Sequence, residues 1–190
     1  MVIRVRERTK EMFADKLQEI AKQKSIQSIQ VKELCEACGV ERSTFYYHFQ
    51  DKYELVAWIF NQIYKNEAQK ARRSNDEAML RGLFRQLEQK RTFFLNALQD
   101  TSQNNLRQYI VDFYVEYERK IVRRYLQTDV LDEMTEYAIR QNAFGGMYNM
   151  IEWLQGKTNY TAEKIAHYQY IFMPDILRQA IECDYANFEE

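Results

Sequence analysis

The stretch from Gln30 to Lys52, QVKELCEACGVERSTFYYHFQDK, constrains the fold more tightly than any other part of this chain. Val31, Leu34, Cys35 and Cys38 follow the i, i+3, i+4, i+7 spacing that lines one face of a helix. Gly39 ends that helix, because a residue without a Cβ enters the left-handed position past a helix terminus at low cost. A second helix begins near Arg42, with Phe45 and Phe49 facing inward beside Val40. Its opposite face carries Arg42, Ser43, Thr44, Tyr46, Tyr47 and His48. Asp51 then caps another helix, with Glu54 three residues on as capping-box partner and Lys52 in its first turn. Two short helices about a glycine turn form a helix-turn-helix, whose second helix can enter the major groove of DNA. Spacing alone leaves open both that use and a plain helical corner.

The same residues carry a resemblance. Phe45, Tyr46, Tyr47, His48 and Phe49, followed by Lys52 and Leu55 and preceded by Gly39 and Val40, resemble the DNA-binding signature of the TetR family of bacterial transcription regulators, over roughly residues 6 to 66. FYYHFQDKYEL followed by Trp58, Ile59 and Phe60 is most similar to the DhaS-like branch. The resemblance implies DNA contacts from Lys32, Arg42, Ser43, Thr44, Tyr46, Tyr47, His48 and Lys52. Arginine can pair bidentately with guanine, and hydroxyls can donate to phosphates or base edges. Small polar residues at a helix start also serve as caps, and a lone exposed lysine is commonly just solvated. Gln30 stands where the family commonly has a threonine N-cap, and glutamine caps poorly.

Charge alone does not announce a nucleic-acid binder. The net charge is −1, and residues 1 to 60 hold ten basic against nine acidic side chains. Binding would rest on a few placed cations, with Arg4, Arg6, Arg8 and Lys10 forming a short basic arm ahead of the first helix. Five glycines and one proline in 190 residues leave little turn chemistry, and no β alternation is sustained, so the expected fold is all-α with about nine helices. No signal-peptide core or long apolar stretch appears, which predicts a cytoplasmic protein with no membrane partner.

Along the chain, Thr9 to Lys24 reads as the first helix. The helix from Lys52 reads as a connector between an N-terminal DNA-binding domain, 1–51, and a C-terminal sensing and dimerisation domain, 52–190. That second part holds a helix from Asp76 and a short one over Phe93–Leu98. Ser102 is expected to cap a long helix carrying Leu106 to Tyr125, followed by one over Leu131–Gln155. A last helix over Thr161–Cys183 should be kinked at Pro174. Gly145 and Gly146, inside a helix, suggest close packing or a cavity wall. The segment FGGMYNMIEWLQGKTNYTAEKIA resembles the end of the TetR-family regulatory domain, which implies a homodimer built as a four-helix bundle.

Other motifs have structural readings. Cys35-x-x-Cys38 falls on the buried face, without a second cysteine pair, and only His48 and His167 exist as imidazoles, so no metal or cofactor is expected. The Arg119, Lys120, Arg123, Arg124 cluster reads as a solvated helix face. Tyr109, Phe113, Tyr117, Phe144, Met147 and Tyr148 are candidates for an effector pocket, although helical spacing is equally what core residues show. No catalytic constellation is marked, so an enzyme is not expected. The expectation is a homodimeric repressor binding double-stranded DNA at a two-fold operator. An unknown small-molecule effector would change that binding. A DhaS-like coactivator run by a partner protein is the first alternative, and a helical small-molecule-binding protein or enzyme with a scaffold helix-turn-helix is a remote one.

Overall fold

A computed structural model describes residues 2–71, 76–99 and 106–186 of the chain. Ten α-helices and one 3₁₀ turn account for the regular structure among them. They are α1 Val2–Ile20, the 3₁₀ turn Ile26–Ser28, α2 Val31–Cys38, α3 Arg42–His48, α4 Lys52–Ala71 and α5 Asp76–Gln89. Then come α6 Arg91–Leu98, α7 Leu106–Leu126, α8 Glu133–Leu154, α9 Ala162–Ile171 and α10 Asp175–Ala186. The all-α expectation is met. No helix among the described residues is long and apolar enough to cross a membrane.

Two boundaries differ from the sequence reading. The basic residues before Thr9 form no separate arm, because α1 already begins at Val2; no proline or glycine interrupts residues 2 to 8. The segment Thr161–Cys183 is two helices, not one bent helix. Pro174 cannot donate an N–H to a continuing helix, and its carbonyl instead accepts from the N–H groups of Leu177 at 3.0 Å and Arg178 at 3.1 Å, which starts α10. The cap expected from Ser102 lies outside the described residues.

The helices form two compact units. The first comprises Met1–Asn61 with Arg91–Tyr109. Its core is Phe13, Leu17, Ile26, Leu34, Phe45 and Leu55, each fully buried. Phe13 meets Phe45 edge to face at 5.2 Å, which seats α3 on α1. Asn96 of α6 holds the 3₁₀ turn: its Oδ1 accepts from the Ile26 N–H at 2.9 Å, and its Nδ2 donates to the Lys24 carbonyl at 3.2 Å.

The second unit comprises Gln62–Lys90 with Ile110–Glu190. Val111, Val115, Ile121 and Val122 of α7 pack with Ile139 of α8 and Leu177, Ala180 and Ile181 of α10. Phe84 of α5 meets Trp153 of α8 at 5.2 Å, and the Trp153 indole donates to the Tyr160 carbonyl at 2.8 Å. The basic cluster on α7 is partly engaged: Arg119 pairs with Glu116 and with both oxygens of Glu136, and Arg124 pairs with Asp184.

Candidate functional site

Gly39 sets the angle between α2 and α3. Its φ is 68°, a left-handed conformation, and the Val40 N–H returns to the Cys35 carbonyl at 3.1 Å. Neither following cap uses a side chain: Gln30 before α2 and Glu41 before α3 make no side-chain cap hydrogen bond. The seven-residue helix α3 is held instead by Phe45, which is 0% exposed, and by Phe49 just past its end at 3%. Burying two aromatic side chains contributes several kcal/mol, roughly 1.5–3 for each, enough to hold a helix too short to persist alone.

The outward face follows from that anchoring. Tyr46 is 49% and Tyr47 64% exposed, Arg42 and Ser43 are exposed, and Thr44 and His48 are half-buried. The Arg42 guanidinium donates to the Tyr46 hydroxyl at 3.4 Å, and the Ser43 hydroxyl donates to Glu41 at 3.4 Å. Arg6 of α1 donates to the Tyr47 hydroxyl and lies 4.9 Å from that ring's centre. This contact places beside α3 a cation that the sequence reading assigns to a separate basic arm. His48 stacks its edge on Tyr47, and burial, with Lys10 and Arg6 nearby, lowers its imidazole pKa.

An open groove of about 680 Å³ brings Lys32, Arg42, Tyr46 and Lys52 to one wall. Ser43, Thr44, Tyr47 and His48 are not in its lining. Lys32 is exposed and lies 3.7 Å from Glu36 on its own helix. Lys52 is half-buried, and its ammonium donates to the carbonyls of Gln27 at 2.6 Å and Ile29 at 2.8 Å. It therefore fastens the segment leading into α2 while its charge faces the groove. Glu54 closes the cap of α4 one residue earlier than the expected box, accepting from the Gln50 N–H. Cys35 is buried and Cys38 half-buried; burial pushes both thiols up, which keeps them protonated.

The second unit holds a partly open cavity of about 400 Å³ among α4, α5, α7, α8, α9 and α10. Of the six candidate pocket residues, Met147 lines it. Phe113 and Tyr117 stack at 6.0 Å and pack against Tyr64, which is in the lining. Phe144 and Tyr148 are exposed at 44% and 61%. Tyr109 belongs to the first unit and donates to Asp51 at 3.1 Å. Gly145 and Gly146 both line the cavity; a Cβ on Gly145 would meet nothing within 4 Å, whereas one on Gly146 would touch the Gln169 side chain of α9, whose amide donates to the Gly146 carbonyl at 2.9 Å. Glu118 and Asn142, which the sequence reading passed over, also line it.

Two families match the sequence: "Bacterial regulatory proteins, tetR family" over residues 17–59, and "Transcriptional regulator C-terminal region" of the TetR type over residues 74–175. No curated protein matches it. Among solved structures, the dihydroxyacetone kinase operon activator DhaS is similar with a TM-score of 0.57 at 18% identity, over 87% of this chain and 93% of that one. The TetR-family repressor FadR of Thermus thermophilus, in complex with lauroyl-CoA, is similar at 0.56 and 16% identity, over 86% and 92%. NalD of Pseudomonas aeruginosa, the secondary repressor of the MexAB-OprM multidrug efflux pump, is similar at 0.51 and 19% identity, over 88% and 95%. At these identities the likeness is one of fold.

Proposed function

This chain belongs to the TetR family of bacterial regulatory proteins and is a transcriptional regulator, and from that premise we propose that it is a homodimeric repressor whose operator binding is changed by a small molecule in the cavity of the second unit. One observation carries the DNA-binding half of this reading: α3 buries Phe45 completely while presenting Tyr46 and Tyr47 at 49% and 64% exposure. Large aromatic side chains with donors, held outward by a buried anchor, suit phosphate oxygens and thymine methyl groups. Arg42, Ser43 and Thr44 at the start of α3 read base edges. Tyr46, Tyr47 and His48 contact backbone and methyl groups, and Lys32 and Lys52 contact phosphates. The division into a reader over residues 1–51 and a sensor over 52–190, joined by α4, belongs to the same proposal.

A single α3 reaches only a few base pairs, so a two-fold operator needs two copies of the chain about one helical turn apart. A ligand preferred by one conformation shifts the population toward or away from that spacing. The likeness to FadR in complex with lauroyl-CoA and a partly open cavity of about 400 Å³ favour a small molecule over a partner protein. The protein works in the cytoplasm, on double-stranded DNA, and catalyses nothing.

Selection of bound genomic fragments, followed by footprinting and sedimentation of the complex, tests the reading. The expected result is a two-fold site bound by two chains. Absence of any fragment preferred over bulk DNA would refute it.

A further inference from the structure

Glu118 sits in the wall of the cavity, only 3% exposed. Its Oε1 accepts from Asn142 Nδ2 at 2.7 Å, while its Oε2 has no hydrogen-bond partner. Thr158 Oγ1 is a second buried oxygen in this lining without a partner. A buried carboxylate with one oxygen unpartnered is costly in its charged form, so the group is tolerable only if it is protonated or meets a ligand that completes it. Burial raises its pKa to about 8, against the pull of Asn142. The other ionisable groups of the lining are tyrosines: Tyr114 one turn earlier on α7, Tyr64 on α4, Tyr160 ahead of α9 and Tyr168 on α9. No lysine, arginine or histidine is among the described lining residues.

We propose that this cavity takes a lipophilic primary amine, its ammonium donating to Glu118 Oε2 and its hydrocarbon body lying among Met79, Leu83, Phe84, Met147 and Met150. The proposal rests on the reading of the cavity as the effector site and specifies its ligand class. A carboxylate or phosphate ligand would bring a second negative group to a lining without a cation; Lys164, the ammonium beside the Tyr160 and Tyr168 rings, lies outside that lining. A neutral alcohol would satisfy one lone pair but forgo the Coulomb attraction, which is strong where water is excluded. The Tyr64 and Tyr114 rings, 5.5 Å apart edge to face, add aromatic surface beside the carboxylate. The charge balance is simple. Below the carboxyl's folded pKa, the incoming ammonium displaces the Glu118 proton to solvent, and the cavity stays neutral overall.

Calorimetric titration of the full chain with decylamine, decanol and decanoate, near neutral pH in two buffers of different ionisation enthalpy, tests this. Decylamine is expected to bind with release of about one proton, and decanoate to bind far more weakly. In Glu118→Gln, decylamine should weaken about tenfold or more and release no proton, while decanol affinity is retained; a melt confirms the variant folded. Decanoate binding more tightly than decylamine, or amine binding without proton release from the parent protein, would overturn the proposal. Adding the same three compounds to the operator complex separates the two readings. Amine binding that leaves DNA bound upholds the ligand class and removes the effector role. Release by decanoate, with no amine binding, does the reverse.

Discussion

Tyr109 donates its phenol to Asp51 Oδ2 at 3.1 Å, while Asp51 Oδ1 accepts the backbone N–H groups of Tyr53 at 2.7 Å and Glu54 at 2.9 Å. One carboxylate thus caps α4, just after the recognition helix ends, and fixes the first turn of α7. Burial and the adjacent Asp51 both raise the phenol's pKa, so it remains a donor throughout the neutral range. Tyr109→Phe should lower stability by about 1 kcal/mol. Asp51→Ala, which also loses the cap, should cost about 1–2 kcal/mol. Urea denaturation of both variants checks the order.

Gly39→Ala should destabilise by about 1 kcal/mol. A Cβ there meets nothing within 4 Å, so the cost is the left-handed backbone alone. Replacement by asparagine, which tolerates this conformation, should recover part of the loss in the same denaturation series.

Lys52→Met separates two roles of one ammonium. Loss of its bonds to the Gln27 and Ile29 carbonyls should cost about 1 kcal/mol of stability. If it also meets a phosphate, the slope of log affinity against log salt should fall by about 1. A stability loss with an unchanged slope would leave Lys52 as a staple of the loop only.

Arg42→Ala should weaken operator binding by about 1–3 kcal/mol and relax the preference at one base position. If its hydroxyl meets a phosphate as proposed, Tyr47→Ala should weaken binding about tenfold across sequences; it also removes the ring beneath Arg6. Both side chains are exposed, so melting temperatures should stay within a few degrees of the parent. Gel-shift titration reads the affinities.

The buried carboxyl of Glu118 should make stability depend on pH. Its folded pKa, about 8, lies above the ordinary value of 4.5, so the folded state binds the proton more tightly than the unfolded chain. The associated stability is complete below about 4.5, declines as pH rises, and is gone above about 8. Glu118→Gln should flatten the curve over that window and be more stable than the parent at its upper end, by on the order of a few kcal/mol. Denaturation across the pH series, parent against variant, is the measurement.

The reader was legible because its signals are local. Four apolar residues at helical spacing, a glycine at the turn, two phenylalanines four apart and an aspartate cap lie within Val31–Asp51, and the structure builds α2, α3 and the start of α4 from them. The start of α1 differs from the expected arm because a run of charge does not end a helix, and nothing in residues 2 to 8 breaks it. Pro174 was placed correctly, but its effect was larger than a kink. The cavity was less legible, since helical period identifies a face and not what the face meets. Phe113 and Tyr117 back Tyr64 instead of lining the space. One signal was available: Glu118 follows Tyr114 by four residues and precedes Ile121 by three, an acid inside the apolar stripe of α7.

The brevity of α3 has an informational consequence. Seven residues rise about 10 Å, the length of about three base pairs, so one copy distinguishes at most about four positions. In the proposed homodimer, two copies amount to about sixteen bits, a pattern that recurs by chance roughly fifteen times among about a million competing sites. The rest of the address must be written in half-site separation and in how readily the intervening DNA bends.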